Sequence, residues 1–497
     1  MIERDRDIVF EADGSLKMEA VIGAIQQFRR SVLPTMQEMI DAYHNEGAIT
    51  HRQRSKGVPN NKLSHAYARY IVTIASGYLV GKPITYSVPE ESHLDEQLEA
   101  FKKVCKDADL QSVDAELAAK ASIYGKGINI CYADGESRPM SASLDPRSAF
   151  VVYDDTVQHL PLFGVDFHDV YDLSGQKTGC VVHAYTGDMI YCYKGADAEQ
   201  IRRIPELDQE HYFGGVPIVE FWNNEDELGD FQPVLSLIEG YDNVESDRVN
   251  DKEQFSDAIL LLTGCQSETE EDEEEEDDAA DGEKDHRSFA QKLLEEKVLS
   301  LPDEEAKAEW LTKTSDEAGT DILRKALNND IHKMSMVPDL TDENFASNAS
   351  GVAMKYKLFG LEQLVSIKER WFREAVRARI ELIEHFMAVK AQPTLAASDV
   401  EISFTRSLPA NDAEIASMVA TLDGIVSRED LLPQLPFITD VRKSLDKLER
   451  QQAEESKRQA EAFGGRYQDA NEPQENDESG TSEEEPDGED NQNKRRI

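Results

Sequence analysis

The chain has 497 residues, 39% hydrophobic and 31% charged, which is length enough for about two to four domains with real cores. With 99 acidic against 53 basic side chains it carries a formal charge of −46. That excludes a protein that grips nucleic acid over a broad surface by releasing phosphate counterions, so any DNA contact must be loose or confined to a few local sites.

No run approaches roughly eighteen uninterrupted apolar residues, and no membrane span is expected. The start, MIERDRDIVF, is charged throughout, and no signal peptide is expected there. The five cysteines (Cys105, Cys131, Cys180, Cys192 and Cys265) are scattered and never form C-x-x-C, which points to reduced thiols and not to a disulfide frame or zinc site.

In chain order, residues 18–104 have a helical pattern. Within them NKLSHAYARYIVTIASGYLVGKP sets Leu63, Tyr67, Tyr70, Ile71, Ile74 and Tyr78 on one face, and Gly81 and Pro83 stop the run. A second helix is expected over 110–124. Short strands are expected at 128–132, 150–153, 162–167, 181–185, 190–193 and 216–222, with Thr186-Gly187-Asp188 as a hairpin turn. From Pro233 to Ala258 the chain is helical again, and over 245–254 it is almost wholly polar. Such a helix bridges solvent or packs against copies of itself. Residues 259–262 are a strand-like apolar patch.

The run SETEEDEEEEDDAADGE, 267–283, is too densely charged to bury surface and is expected as a disordered loop. Order is expected again over 288–312, followed by an amphipathic helix over 316–334. The longest helix is expected over 352–390, spanning roughly 55 Å at helical rise, with Gly360 permitting a bend. A strand at 400–404 and three helical stretches follow. Ser427 and Asp430 have capping-box spacing, and 440–463 reads as a long charged helix. Everything after Gly464 reads as a disordered acidic tail. No internal repeat is evident.

Catalytic motifs are lacking. Gly77 to Pro83 faintly resembles a phosphate loop, but it has three residues between the glycines instead of four, lacks Ser or Thr after Lys82, and follows a helix. It reads as a helix C-cap. Pro338-Asp339 could open a metal-nuclease signature, yet the next Glu-x-Lys is distant, at Glu455-Ser456-Lys457, so chance accounts for it. The acidic run from Glu268 to Asp278 lacks the alternating acid and glycine of a calcium loop. The eleven histidines form no H-x-x-x-H or H-E-x-x-H pair, and no G-x-S-x-G anchors a nucleophile. No cofactor and no metal is expected. The segment NFASNASG is small and neutral. By composition it is an ordinary exposed interhelical loop, although its chemistry also suits touching a moving polyanion without clamping it.

Four stretches, in order, resemble the portal protein family of long-tailed phages infecting Gram-positive bacteria. They are NNKLSHAYARYIVTIASGYLVGKPITY (60–86), YDNVESDRVNDKEQFSDAILLLTG (241–264), VPDLTDENFASNASGVAMKYKLFGLEQL (337–364) and SFTRSLPANDAEIASMVATLDGIVSREDLLPQLPFI (403–438). The resemblance implies a predominantly helical α+β chain of wing, stem, clip and crown architecture, closed into a ring of about twelve subunits. It implies an N-terminal segment at 1–39, a wing over 40–232, stem helices over 233–257 and 316–336, and a clip over 258–315 that contains the acidic loop. It further implies a tunnel loop over 337–351, a spine helix returning to the wing over 352–407, a crown over 408–463 and the tail at 464–497.

Asn344, Phe345, Ala346, Ser347, Asn348, Ala349, Ser350 and Gly351 are thereby the DNA-facing residues. The implied role is structural and non-enzymatic: a DNA channel at one capsid vertex of the virion, assembled in the host cytoplasm. Implied partners are the terminase large subunit, a head-completion or adaptor protein, the major capsid and scaffolding proteins, and double-stranded DNA passing without sequence preference. The long acidic run departs from the family's usual clip. A scaffold-type assembly protein is the main alternative, and a metal-dependent nuclease a remote one.

Overall fold

The computed structural model describes residues 1–56, 58–255, 259–263, 307–311, 317–341, 351–406, 412–422 and shorter pieces between 425 and 458. It divides into two compact units, Met1–Leu408 and Pro409–Ile497. The acidic run, the tail beyond Gly464 and the Ser427–Asp430 cap all fall wholly or partly outside the described residues.

The first unit opens with β1 (Ile2–Arg4), α1 (Arg6–Val9), α2 (Met18–Ser31), α3 (Leu33–Tyr43), α4 (Tyr67–Val80), β2 (Thr85–Ser87), α5 (Asp95–Asp107) and α6 (Leu110–Tyr124). The expected helical pattern from Met18 is therefore interrupted. Asn45 turns the chain at φ 63°, and residues 60–65 run outside any helix because their backbone is engaged elsewhere, as described below. Helix α4 ends as its sequence indicates, with Gly81 N–H donating to Gly77 O at 2.9 Å. The glycine-lysine run is a helix cap.

Next come β3 (Lys126–Ala133), β4 (Pro139–Leu144), β5 (Ala149–Asp154), β6 (Pro161–Tyr171), β7 (Lys177–Tyr185), β8 (Met189–Gly195), β9 (Ile201–Arg203), β10 (Gln209–Glu210) and β11 (Ile218–Trp222). One sheet has the order β1-β5-β6-β7-β8-β10, with β9 also on β8; a second has the order β11-β3-β4. Pairing is antiparallel throughout both, except that β1 joins β5 in parallel. Thr186 closes the β7–β8 hairpin, its N–H donating to Met189 O at 2.9 Å. Strand β3 is buried on both faces because Ile128 and Ile130 pack with Val151, Val216 and Ile218 between the sheets, while α6 covers the other side. At the α6–β3 corner Gly125 has φ 85°, and a Cβ there would stand 1.8 Å from Glu227 O, so only glycine fits.

The unit continues with α7 (Leu235–Phe255), β12 (Ile259–Thr263), β13 (Lys307–Leu311), α8 (Glu317–Ser335), α9 (Gly351–Lys357), α10 (Phe359–Val389) and β14 (Glu401–Ser403). β12 pairs antiparallel with β13, and β14 with β2. The expected long helix is broken at Leu358, two residues before Gly360. Helix α10 buries Leu361, Val365, Phe372, Val376, Ile380, Ile383 and Met387 in the main core. Two cations share that stripe. Lys368 Nζ lies 2.6 Å from Asp230 and 2.5 Å from Ser122 Oγ, and Arg379 Nη1 lies 2.7 Å from Asp114. Each buried charge thus has an opposite partner, without which burial would cost several kcal/mol. A third buried cation, Lys126, sits between Glu220 at 3.3 Å and Glu227 at 3.0 Å. Glu220 also accepts from Val151 N–H at 3.1 Å and so ties the two sheets together. In the second unit, α11 (Asp412–Leu422) is followed by helical residues between 445 and 458.

Candidate functional site

Helix α7 is made of two unlike halves. Leu235, Ile238 and Tyr241 turn into the core, whereas the second half carries almost no apolar residue. Yet Asp242, Ser246 and Asn250, spaced four apart on one face, are nearly fully buried. What covers them is the extended segment 60–65. Asn61 N–H donates to Asn250 Oδ1 at 2.7 Å, Leu63 N–H to Ser246 Oγ at 2.9 Å, and His65 N–H to Asp242 Oδ1 at 2.9 Å. Two residues of extended chain advance roughly as far as four residues of helix, so the rungs stay in step. Arg52 and Arg54 reinforce the strap by converging on Asp247, the former at 2.8 Å.

The next edge of α7 faces α8. Glu245 pairs with Arg324 at 3.5 Å, and Lys252 and Arg248 with Glu317 at 3.0 and 3.4 Å. Lys252 holds the exposed Glu317 carboxyl below its ordinary value. Because 245 meets 324 while 252 meets 317, the two helices run antiparallel. The reading of α7 as a helix polar all round is corrected here: two of its polar edges are satisfied within the chain.

At the end of α8 the chain turns at Met336, a non-glycine residue at φ 60°, and Val337 is fully buried. His332 Nδ1 lies 2.9 Å from Val337 O; a carbonyl only accepts, so Nδ1 carries the proton. Tyr70 Oη donates to Pro338 O at 2.9 Å and accepts from Leu340 N–H at 3.0 Å. Burial raises the Tyr70 phenol above its ordinary pKa, which keeps it a neutral donor. Asp339, the residue of the faint nuclease motif, accepts from Thr341 N–H at 2.9 Å and Thr341 Oγ1 at 2.6 Å, a turn cap.

Of the expected DNA-facing residues, Asn344, Phe345, Ala346, Ser347, Asn348, Ala349 and Ser350 lie outside the described residues, and Gly351 is the first residue of α9. Sequence reading missed the anchors on either side. Tyr67 and Tyr70 were visible only as members of a helical face, and His332 was not singled out at all.

Among the described residues no group of three or more His, Cys, Asp or Glu side chains could hold a metal ion. The described cysteines are unpaired thiols, and burial pushes Cys105 up to about 12 and Cys131 to about 11, away from nucleophilic use. No described helix is long and apolar enough to cross a membrane. The features that stand out are mechanical: an antiparallel helix pair, a strap and a fixed loop root.

The profile of the family described as "Phage portal protein, SPP1 Gp6-like" matches residues 25–458, so the chain belongs to that family of non-catalytic structural proteins. It is similar to the portal protein of Bacillus phage SPP1, 23% identical over 447 residues that cover 82% of this chain and 79% of the relative. It is also 23% identical to the portal protein of Clostridium phage phiCD119, over 91% of this chain and 98% of the relative. Its general role is that of a phage portal, a capsid component acting in genome packaging.

Proposed function

We propose that about twelve copies close into a ring at one capsid vertex, forming the channel by which DNA enters and leaves, since head-to-tail contacts that close give rings. The observation that carries this is the antiparallel α7–α8 pair, with the β12–β13 ladder between its two helices in sequence and the fixed root of residues 337–341 directly after it. That order suits a stem of 233–257 and 316–336 around a clip of 258–315, with a tunnel loop of 337–351. In the same reading 40–232 is the wing, 352–407 the spine and its return, 408–463 the crown, and 1–39 and 464–497 the terminal segments. The clip would dock the terminase large subunit during packaging and a head-completion or adaptor protein afterwards. The major capsid and scaffolding proteins would surround the ring, which forms in the host cytoplasm.

Residues 344–351 then face the DNA. Asn and Ser offer weak neutral hydrogen bonds, and in a chain of charge −46 they let the duplex slide. Replacing Asn344, Ser347 and Asn348 with lysine tests this. Rings should form as before, while packaging of a complemented portal-deficient phage slows or stalls because the new cations hold passing phosphates. Unchanged packaging would show that the loop does not face DNA.

A further inference from the structure

Tyr67, Tyr70 and Tyr78 lie on one face of α4, and each hydroxyl grips a different part of the chain. Tyr67 donates to Asn328 Oδ1 on α8 at 2.5 Å, and Tyr78 to Glu362 Oε2 on α10 at 2.8 Å. Tyr70 stands between them and alone spans the chain that leaves α8, through Pro338 O and Leu340 N–H. Its ring is perpendicular to that of His332 at 5.6 Å, and His332 in turn holds Val337 O. The left-handed Met336 packs below, its carbonyl oxygen 3.5 Å from where a Cβ on Gly360 would stand at the start of α10. A non-glycine residue keeps that conformation only where its surroundings over-determine it. Here the determinants are the bonds of Tyr70 and His332 and the burial of Val337.

We infer that Tyr70, backed by His332, is a positioning residue for genome translocation: it fixes residues 337–341 and thereby the direction in which the DNA-facing loop leaves α8. This rests on the reading of 344–351 as that loop. Tyr70 touches no DNA in this account and acts only through the loop's root. The row on α4 also explains why one helix, remote in sequence from both stem helices, bonds to α8, to the root and to α10. It is the fixed rail against which α8, the loop's root and α10 are set.

The test is Tyr70→Phe in the full-length chain, which keeps the ring and its packing but removes both bonds to the root. Hydrogen exchange at the Leu340 amide should become roughly tenfold faster, with rings and their melting temperature close to wild type. Complementation of a portal-deficient phage should give on the order of tenfold fewer DNA-filled heads per assembled capsid. His332→Leu should reproduce the effect. His332→Asn, which keeps an amide donor near the Nδ1 position, should largely restore both readouts.

A merely structural role would instead lower the melting temperature and ring yield while the capsids that form fill normally, and that result overturns the proposal. So does unchanged exchange at Leu340, and so does faster exchange with normal filling. The lysine substitutions at 344, 347 and 348 separate the two readings. If they stall packaging and Tyr70→Phe does not, the loop faces DNA and the clamp is irrelevant. If neither matters, the DNA-facing assignment itself fails.

Discussion

Glu384, on the last turns of α10, shows how far burial alone can move a side chain in this protein. Burial pushes its carboxyl up to about 7, against one hydrogen bond from Leu395 N–H at 3.0 Å, and its other oxygen has no described partner. The fold therefore favours the protonated acid, while the unfolded chain releases its proton near 4.5. Stability from this group is full below about pH 4.5 and is lost as pH rises towards 7. Glu384→Gln keeps an acceptor for Leu395 and removes the charge. It should raise the melting temperature at pH 8 and leave it nearly unchanged at pH 4.5. A variant that melts lower at both pH values would show that the carboxylate, not the acid, is the folded form. Residues of this kind were not legible in the sequence. Lys368, Arg379 and Glu384 fall on α10's buried side, but periodicity counts only apolar side chains, and the partners Asp230 and Asp114 come from distant segments.

At the level of elements, legibility followed length and regularity. Helices α4, α6, α8 and α10 and the strands β3, β5, β6, β7 and β8 were all marked by the patterns of their apolar residues, although Ile322 and Leu323 of α8 stand exposed. β1, β9 and β10 have two or three residues each, too few for a period, and only pairing with a formed sheet makes them strands. The strap was illegible for a different reason. Its signal is a backbone ladder onto Asp242, Ser246 and Asn250, and backbone amides leave no trace in composition. Asn250→Ala should cost about 0.5–1.5 kcal/mol, because the half-buried Asn61 amide loses its acceptor. Urea unfolding measures the loss, and hydrogen exchange should rise over 60–65. An exchange pattern unchanged there would mean that the strap is held by Arg52 and Arg54 on Asp247 instead.

For the whole molecule, the charge of −46 sets the terms of both assembly and DNA contact. Like-charged subunits repel, and salt shortens the range of that repulsion to about 10 Å at 0.1 M, so ring closure should strengthen as salt rises. In the proposed reading the same repulsion keeps DNA off the surface and leaves contact to the neutral residues of 344–351. Sequence conveyed this directly, along with the α+β class and the family. It conveyed the loop's root poorly, because a clamp between α4, α8 and residues 337–341 depends on packing across more than 260 residues of chain. Microscopy combined with native mass measurement of the purified full-length chain, over a series of salt concentrations, tests the central claim most directly. The account predicts closed rings of about twelve copies with a central hole wide enough for duplex DNA, more abundant at higher salt. A monomer at every salt concentration, or closed particles with no hole, would contradict it.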